Sequence, residues 1–221
     1  MVCFHCCFIW LIWYWIWTDL LDAIQESFVI VPSTFDEALD KSSFSSAEAY
    51  VLKTAQEKGS EVTSRLALES SCKTDLVVIS ADTIVVLGPE SEMNEYPLGI
   101  LEKPKDENEA RGMMRCLRGK EHRVLTAIHI TLTPSPLNPT KPPTSWSQVV
   151  STTVEFRDLT NDIIEKYITK TTEWNDKAGG YGIQAPSGKW LIKRVDGCYY
   201  NVVGLPTSVL FDLLSKVSAQ I

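Results

Sequence analysis

The chain has 221 residues, 44% of them hydrophobic and 22% charged, which is enough apolar material for one large domain or two small ones. Its formal net charge of -7 excludes a nonspecific nucleic-acid-binding protein, because such a protein needs a basic surface that neutralises phosphates. Of its six cysteines, Cys72, Cys116 and Cys198 lie far apart and only Cys3, Cys6 and Cys7 cluster, so the chain lacks the disulfide framework of a secreted domain and is expected in the cytoplasm.

Residues 2–17 are almost wholly apolar and contain four of the seven tryptophans. A helix of this length would span about 24 Å, short of the roughly 30 Å hydrocarbon core of a membrane. The segment also lacks the basic region and cleavage site of a signal peptide. Three alternatives stay open: insertion at a membrane interface or as a signal anchor, a buried strand or helix, and an aberrant start of the reading frame. Cys3, His5, Cys6 and Cys7 could ligate zinc, but no second pair follows at zinc-finger spacing.

The next predicted elements alternate between strands and helices, which favours an α/β fold. Phe28–Val31 has the pattern of a strand, and Tyr50–Lys58 that of a helix ending at Lys58. Two apolar β-branched runs, Leu76–Ile79 and Ile84–Leu87, suit strands that are buried on both faces. The following segment, Gly88–Gly99, is expected to be a surface loop.

The second half of the chain continues this alternation. Asp106 and Glu109 resemble a capping box at the start of a helix that ends near Gly119. Alternating apolar residues predict strands at Ile128–Leu132 and Val150–Phe156. The remaining predicted elements are a loop with five prolines (Thr133–Ser147), a helix capped by Thr160, and a last helix after Pro206.

Asp82 is the most informative single residue, because it lies between the two apolar runs. A carboxylate in such a buried strand is costly unless it is paired, hydrogen-bonded or bound to a metal. A structural alternative is that Asp82 and Thr83 cap a bend where the strand breaks. Glu37 supplies a second carboxylate, and Lys58 and Lys103 supply two cations, although single lysines are usually solvated surface charges. Hydrolysis of a phosphoanhydride needs acids that hold a divalent cation, cations that neutralise phosphates, and a base.

A glycine-rich cluster spans Asp176–Gln184. Its glycines let the backbone approach a ligand closely, and the amide of Gln184 could read the edge of a base. The cluster matches neither the Walker A sequence nor the dinucleotide-binding fingerprint, which disfavours ordinary ATPases and dinucleotide-binding enzymes.

These motifs together resemble the Maf-like nucleoside triphosphate pyrophosphatases. The segments that carry the resemblance are Asp82–Thr83, Glu102–Pro104, Gly119–Thr126, Asp176–Gln184 and Tyr199–Pro206. The resemblance covers residues 19–221, so residues 1–18 are expected to form a separate, atypical hydrophobic segment. It implies an elongated, mixed-sheet α/β fold shared with inosine triphosphate pyrophosphatases, with a cleft between two lobes, in a homodimer.

The resemblance also implies hydrolysis of dTTP or UTP to the monophosphate and pyrophosphate, with Mg²⁺ or Mn²⁺ as cofactor. Asp82 would be the base or metal-organising acid, and Glu37 a second carboxylate on the metal side. Lys58 and Lys103 would clamp the phosphates. The residues implied in nucleotide binding are Thr83, Asp176, Lys177 and Gln184; Thr83 and Gln184 match the branch that acts on dTTP and UTP.

The chain departs from the family pattern near its N-terminus. The Ser-x-Ser-Pro-Arg-Arg loop that grips the triphosphate is absent, and no lysine or arginine precedes Lys41. Two missing arginines remove charge-assisted hydrogen bonds worth about 1.5–3 kcal/mol each. Three hypotheses follow: an active pyrophosphatase, a catalytically impaired nucleotide-binding paralogue or splice variant, and a protein that contacts membranes through residues 2–17.

Overall fold

The computed structural model describes residues 3–7, 28–69, 74–88, 96–135 and 141–220. Within these ranges the chain forms seven strands and six α-helices. The strands are β1 (Cys3–Cys7), β2 (Phe28–Val31), β3 (Leu76–Leu87), β4 (Ile100–Leu101), β5 (Glu121–Thr133), β6 (Thr144–Phe156) and β7 (Ile192–Asp196). The helices are α1 (Ala47–Glu69), α2 (Glu107–Leu117), α3 (Asn161–Lys170), α4 (Gly188–Leu191), α5 (Tyr199–Val203) and α6 (Thr207–Ser218).

All seven strands belong to one sheet with the order β2-β1-β3-β5-β6-β7, and β4 pairs with β3 outside this path. β1 runs parallel to both of its neighbours, β2 and β3. The remaining pairs are antiparallel. The predicted mixed-sheet α/β fold is therefore confirmed.

β3 runs unbroken through Asp82, so the alternative of a bend at this residue is wrong. The reason is β5, which pairs with β3 continuously from Leu76 to Leu87 and keeps it extended. The other edge of β3 is paired differently: β1 covers residues 76–80, and β4 covers residues 85–86. Within the described ranges, residues 81–84 therefore have no strand beside them on that edge. We call this opening the edge gap.

α1 continues to Glu69, so the predicted end of this helix at Lys58 is wrong. The next residue, Gly59, does not terminate the helix. A Cβ atom there would lie 2.5 Å from the Oγ of Ser80, so the glycine lets α1 lie close against β3. Beyond it, the helix gains tertiary support from a small apolar cluster of Val62, Leu66, Leu76, Val78 and Val31.

Successive residues of β3 contact different layers, because side chains alternate across a strand. On one face, Val77 and Ile79 pack in a cluster with α6, and Val85 packs in a cluster with α2 and α3. On the opposite face, Ile84 packs against α1. Thr83 shares the first face and lies between its two clusters.

The capped helices follow the sequence prediction. Asp106 accepts hydrogen bonds from the backbone N–H groups of Asn108 and Glu109 at the start of α2, and Thr160 accepts from Ile163 at the start of α3. The last helix begins directly after Pro206, as predicted. These three elements are confirmed because their signals are local in sequence.

Two predicted loops differ in part from the structure. Thr144–Ser147 belongs to β6, because these residues pair with His129–Leu132 of β5 and lengthen the hairpin. The tip of that loop, residues 136–140, lies outside the described residues. The same holds for residues 89–95 of the other loop, although Pro97–Gly99 within it forms a 3₁₀ turn.

The N-terminal residues Cys3–Cys7 form β1, between β2 and β3. Residues 8–27 and the side chains of Cys3–Cys7 lie outside the described part of the chain, and so do the zinc hypothesis and most of the apolar segment. No helix in the described ranges is long and apolar enough to cross a membrane. The domain boundary at residue 18 stays a prediction.

Candidate active site

Two pockets meet at the edge gap of β3. Both are lined by Asp82, Thr83, Lys103 and Ala178. The first, the α1-side pocket, is further lined by Glu37, Ala38, Tyr50, Thr54, Ile84 and Glu102. The second, the α5-side pocket, is further lined by Lys58, Ala81, Val85, Val124, Asp176, Lys177, Tyr181, Gly182, Val202 and Gly204. Because no described strand pairs with β3 at the edge gap, side chains from both faces of β3 line a single cleft.

Lys58 joins two carboxylates in this cleft. Its Nζ lies 2.5 Å from Oδ1 of Asp82 and 2.9 Å from Oε2 of Glu37. The side chain of Lys58 is 4% exposed and that of Asp82 is 10% exposed, whereas that of Glu37 is 37% exposed. The two carboxylates thus share one buried cation, and Glu37 lies on the solvent side.

Burial and charge act in opposite directions on this group. Burial raises the pKa of Asp82, while the nearby ammonium of Lys58 opposes that effect. Burial also disfavours the charged form of Lys58, but Asp82 and Glu37 outweigh it and keep the pKa of Lys58 above its ordinary value. Lys58 therefore stays protonated, and Asp82 accepts a proton more readily than an exposed carboxylate does.

Glu37 lies on the segment between β2 and α1. Side chains of α1 hold this segment in place. Glu61 accepts hydrogen bonds from the hydroxyl of Ser33 at 2.9 Å and from the backbone N–H of Thr34 at 3.0 Å. A hydrogen bond from Arg65, together with these contacts, lowers the pKa of Glu61 to about 2. The charged Glu61 thus fixes the chain shortly before Glu37.

Glu102 is a site residue that the sequence reasoning missed. One carboxylate oxygen accepts a hydrogen bond from the hydroxyl of Tyr50 at 2.5 Å, and the other lies 2.8 Å from Nζ of Lys41. Burial, and then the charge of Glu102, raises the pKa of Tyr50. The phenol therefore stays protonated and donates a hydrogen bond to Glu102. The available signal was its position directly before Lys103.

Lys103 and Lys177 have no ion-pair partner within the described part of the chain, and both line the α5-side pocket. Burial lowers the pKa of Lys177, which the charges of Asp176 and Glu173 oppose. The charge of Lys103 acts on Asp82 across the cleft. Together with Lys58, these residues place three cations around one pocket of an acidic chain. Such a local positive region favours an anionic ligand.

The glycine-rich cluster lies directly on β3. Gly179 has a φ of 68°, and its N–H donates to the carbonyl of Glu102 at 3.0 Å. A Cβ atom at this position would lie 2.8 Å from Cγ2 of Val85, so only glycine allows this approach. Asp176 also has a positive φ, 63°, which is uncommon for a residue with a side chain. This path brings Asp176 and Lys177 to the cleft.

A buried aromatic group anchors the far side of the cluster. The hydroxyl of Tyr181 lies 2.7 Å from Nε2 of His122, and both rings meet Phe156 edge to face. Tyr167 donates a hydrogen bond to the carbonyl of Gly180 at 2.9 Å. Burial lowers the pKa of His122 to about 3, so this histidine is neutral at pH 7.

Of the eight residues predicted for the site, seven line the two pockets: Asp82, Glu37, Lys58, Lys103, Thr83, Asp176 and Lys177. The eighth, Gln184, is exposed and does not line either pocket. Their roles in catalysis and binding stay predictions.

The edge gap, its carboxylates and its lysines define an α/β protein with a cleft suited to an anionic ligand. The chain belongs to the Maf-like family, since the family model described as Maf-like protein matches residues 18–217. The resemblance seen in the sequence motifs is therefore confirmed at the level of the family.

Several relatives match most of the chain. A protein of Clostridium kluyveri named dTTP/UTP pyrophosphatase is 37% identical over 204 residues, covering 92% of this chain and 93% of that protein. A Homo sapiens protein named probable bifunctional dTTP/UTP pyrophosphatase/methyltransferase is 39% identical over 200 residues, covering 90% of this chain and 30% of that protein. The solved structure of a HAM1 protein from Coxiella burnetii is 11% identical, with a TM-score of 0.35, over 71% of this chain and 74% of that one.

Proposed function

We propose that this protein hydrolyses dTTP or UTP to the nucleoside monophosphate and pyrophosphate. The observation that carries the proposal is a buried carboxylate, Asp82, in a cleft lined by Lys58, Lys103 and Lys177. Membership of the Maf-like family and the names of the relatives, dTTP/UTP pyrophosphatases, support the choice of reaction and of pyrimidine nucleotide.

The triphosphate would neutralise the lysines that lack partners. Lys103 and Lys177 carry charges that no carboxylate of the described chain pairs with, and Lys177 is half-buried. A bound polyphosphate would accept charge-assisted hydrogen bonds from both, which are stronger than neutral ones. Lys58 differs from them, because it is already paired, and its main effect is to hold Asp82.

Asp82 would act on water. Its Oδ1 is bonded to Lys58, which leaves Oδ2 to accept a proton from a water molecule. The oxygen of that water would form a bond to phosphorus, the bridging bond between the α- and β-phosphates would break, and pyrophosphate would leave. The raised pKa of Asp82 supports this role, since a stronger base takes the proton more readily.

The carboxylates also suit a divalent cation that arrives with the nucleotide. The described residues contain no group of three or more His, Cys, Asp or Glu side chains arranged around one ion. Mg²⁺ commonly needs only one or two carboxylates together with substrate phosphates. Lys58 occupies one oxygen of Asp82 and one of Glu37, so each carboxylate keeps another. These two residues would hold Mg²⁺ or Mn²⁺, which would neutralise charge on the phosphates; for Asp82 this role is the alternative to acting as the base, because both roles use Oδ2.

A second candidate function is nucleotide binding without efficient hydrolysis. It is favoured by the absence of any lysine or arginine before Lys41, where the family carries its Ser-x-Ser-Pro-Arg-Arg loop. Such a protein would bind UTP and release little pyrophosphate. Introducing the loop would then raise its turnover sharply.

We further propose that the protein acts in the cytoplasm as a homodimer and does not bind nucleic acid. The homodimer rests on the family resemblance. The net charge of -7 supports the absence of nucleic-acid binding, and the scattered cysteines support a reducing compartment. Sedimentation and cell fractionation of the full chain test the assembly and the location.

The proposed reaction is tested by pyrophosphate release from UTP and dTTP in the presence of Mg²⁺. The full chain is expected to release pyrophosphate, and Asp82→Asn to reduce the rate by at least about 100-fold, since a carboxamide is not a base. The matched control is Asp162→Asn, which changes an exposed aspartate in the first turn of α3 and should retain full activity. Equal rates for wild type and Asp82→Asn would contradict the proposal.

A further inference from the structure

We propose that Thr126, which does not line either pocket, fixes the hydroxyl of Thr83 as a hydrogen-bond acceptor and so selects a nucleobase that presents an N–H group. Thr83 lines both pockets, whereas Thr126 is a fully buried residue of β5. The inference rests on the proposed function and adds a positioning residue for base selection.

The two threonines face each other in the sheet. Thr83 of β3 and Thr126 of β5 are direct partners in the antiparallel register, and their Oγ1 atoms are 3.0 Å apart. On its other side, Oγ1 of Thr126 lies 2.9 Å from the backbone carbonyl oxygen of Asn201 in α5. The three oxygens therefore form a short chain from α5 to the cleft.

The direction of each hydrogen bond in this chain follows from the number of protons. A carbonyl oxygen only accepts, so the hydroxyl of Thr126 must donate to Asn201. Any other arrangement would leave two oxygens facing each other at 2.9 Å with no proton between them. The single proton of Thr126 is then used, and the contact at 3.0 Å requires Thr83 to donate to Thr126.

The carbonyl group of Asn201, which ends this series of hydrogen bonds, is fixed in orientation because the residue is hydrogen-bonded on several sides. Its side-chain N–H₂ group donates to the carbonyl of Val124 at 2.9 Å and to Oγ1 of Thr152 at 2.9 Å. Its carbonyl also accepts from the N–H of Gly204 at 3.0 Å. Asn201 is fully buried, so water does not compete for these bonds.

The consequence is that Thr83 offers lone pairs to a ligand and no proton. Uracil and thymine carry a donor, N3–H, where cytosine carries an acceptor, so cytosine would place two acceptors against each other. Apolar side chains line the pocket beside Thr83, among them Val85, Val124 and Val202. In such surroundings an unpaired polar contact is costly, which makes the discrimination strong.

The test compares Thr126→Val with Thr126→Ser. Valine has the shape of threonine without the hydroxyl, so Thr83 loses its acceptor and can turn its proton towards the ligand. We expect the ratio of kcat/KM for UTP to that for CTP to fall by about tenfold or more in Thr126→Val. Thr126→Ser keeps the hydroxyl and should keep the ratio. Thr131→Val is the matched control, because it removes a hydroxyl bonded to His129 in the same strand, away from both pockets.

The outcomes separate this inference from the proposed function. An unchanged ratio in Thr126→Val, a similar fall in Thr131→Val, or equal rates with UTP and CTP in the wild type overturns the inference and leaves the reaction in place. If the wild type hydrolyses neither nucleotide, the proposed reaction fails. Calorimetry of UMP and CMP binding to the same variants then tests the inference, with the ratio of the two Kd values in place of the ratio of kcat/KM values. If neither UMP nor CMP binds, the inference is overturned as well.

Discussion

The ammonium of Lys58 lies 2.5 Å from the carboxylate of Asp82 at the edge gap of β3, where residues 81–84 have no neighbouring strand on one edge within the described ranges. Both side chains are largely shielded from water. A buried ion pair contributes little net stability, but each charge offsets the free-energy cost of burying the other. The stability of the sheet at this point and the charge of the proposed base therefore depend on each other.

Removing the cation alone should destabilise the protein. We expect Lys58→Met to lower the free energy of unfolding by about 3–5 kcal/mol, because it leaves the carboxylate of Asp82 buried without its partner. Urea denaturation at pH 7 measures the change. Lys53→Met is the matched control in the same helix, since Lys53 is exposed and pairs with Glu57 on the surface, and it should cost under about 1 kcal/mol.

The double variant Lys58→Met with Asp82→Leu separates stability from activity. It replaces the pair by apolar side chains, so most of the lost stability should return, while pyrophosphate release should stay absent. A double variant as unstable as Lys58→Met would show that the uncompensated charge is not the cause.

The close approach of the glycine-rich cluster to β3 predicts unequal effects at adjacent glycines. Gly179 and Gly180 have nearly equal positive φ values, 68° and 70°. Alanine at either position should cost about 1–2 kcal/mol for its backbone conformation. Gly179→Ala should cost a further 1–3 kcal/mol or so, because its Cβ would overlap Val85, whereas the nearest atom to a Cβ at Gly180 is 3.6 Å away.

Urea denaturation of both variants measures that difference directly, with Gly180→Ala as the control for the backbone term. Equal losses of stability in the two variants would contradict the proposed overlap with Val85.

Burial of His122 predicts acid sensitivity. Its pKa is about 3 in the folded chain and about 6.5 when unfolded, so between these values the unfolded chain binds the extra proton. Stability from this residue is complete above about pH 6.5 and is lost as the pH falls towards 3, by at most about 1.4 kcal/mol per unit. His122→Phe should be less stable at pH 7, because the hydroxyl of Tyr181 loses its partner, but should depend less steeply on pH.

Unfolding free energies of wild type and His122→Phe at pH 7, 6, 5 and 4 should therefore converge as the pH falls. Parallel curves would show that His122 does not carry this dependence. His129, whose pKa burial also lowers, is present in both proteins and cancels in the comparison.

The arrangement of the carboxylates predicts that Mg²⁺ alone does not stabilise the protein, since the described residues contain no cluster of three or more metal-binding side chains. Mg²⁺ together with a non-hydrolysable α,β-imido analogue of UTP should raise the melting temperature. At a nucleotide concentration about 100 times Kd, the expected stabilisation is about 2.7 kcal/mol. A clear rise with Mg²⁺ alone would indicate a preformed metal site, and EDTA should remove the nucleotide-dependent rise in part.

The position of Asp82 in the cleft was predictable from the sequence, because a carboxylate between two apolar runs conflicts with the burial that those runs predict. Lys58 was predicted as a site residue, but its pairing with Asp82 was not, since the two residues are 24 positions apart and meet only through the packing of α1 on β3. Thr126 and Asn201 are separated by 75 residues, so no local signal links them. Capped helices and apolar strands were predictable, and the contacts between them were not.

The errors have a common origin in neighbouring elements. The helix was predicted to end at Lys58, but Gly59 serves a close contact with Ser80. A bend was an alternative at Asp82, but the full-length pairing with β5 keeps the strand straight. The edge gap itself depends on where β1 and β4 end beside β3, which is a property of three segments and not of one.

The parallel pairing of β1 with β3 has a consequence for how this protein can vary. Cys7, the last residue of β1, pairs with Ser80, the last residue of β3 before the edge gap, so the chain leaves β1 at the mouth of the cleft. β1 contributes a backbone ladder to the sheet, whereas the predicted site residues all lie after β2. Substitutions directly after Cys7 therefore fall beside the edge gap, and they can change the edge of the cleft while the backbone pairing of β1 keeps the register of the sheet.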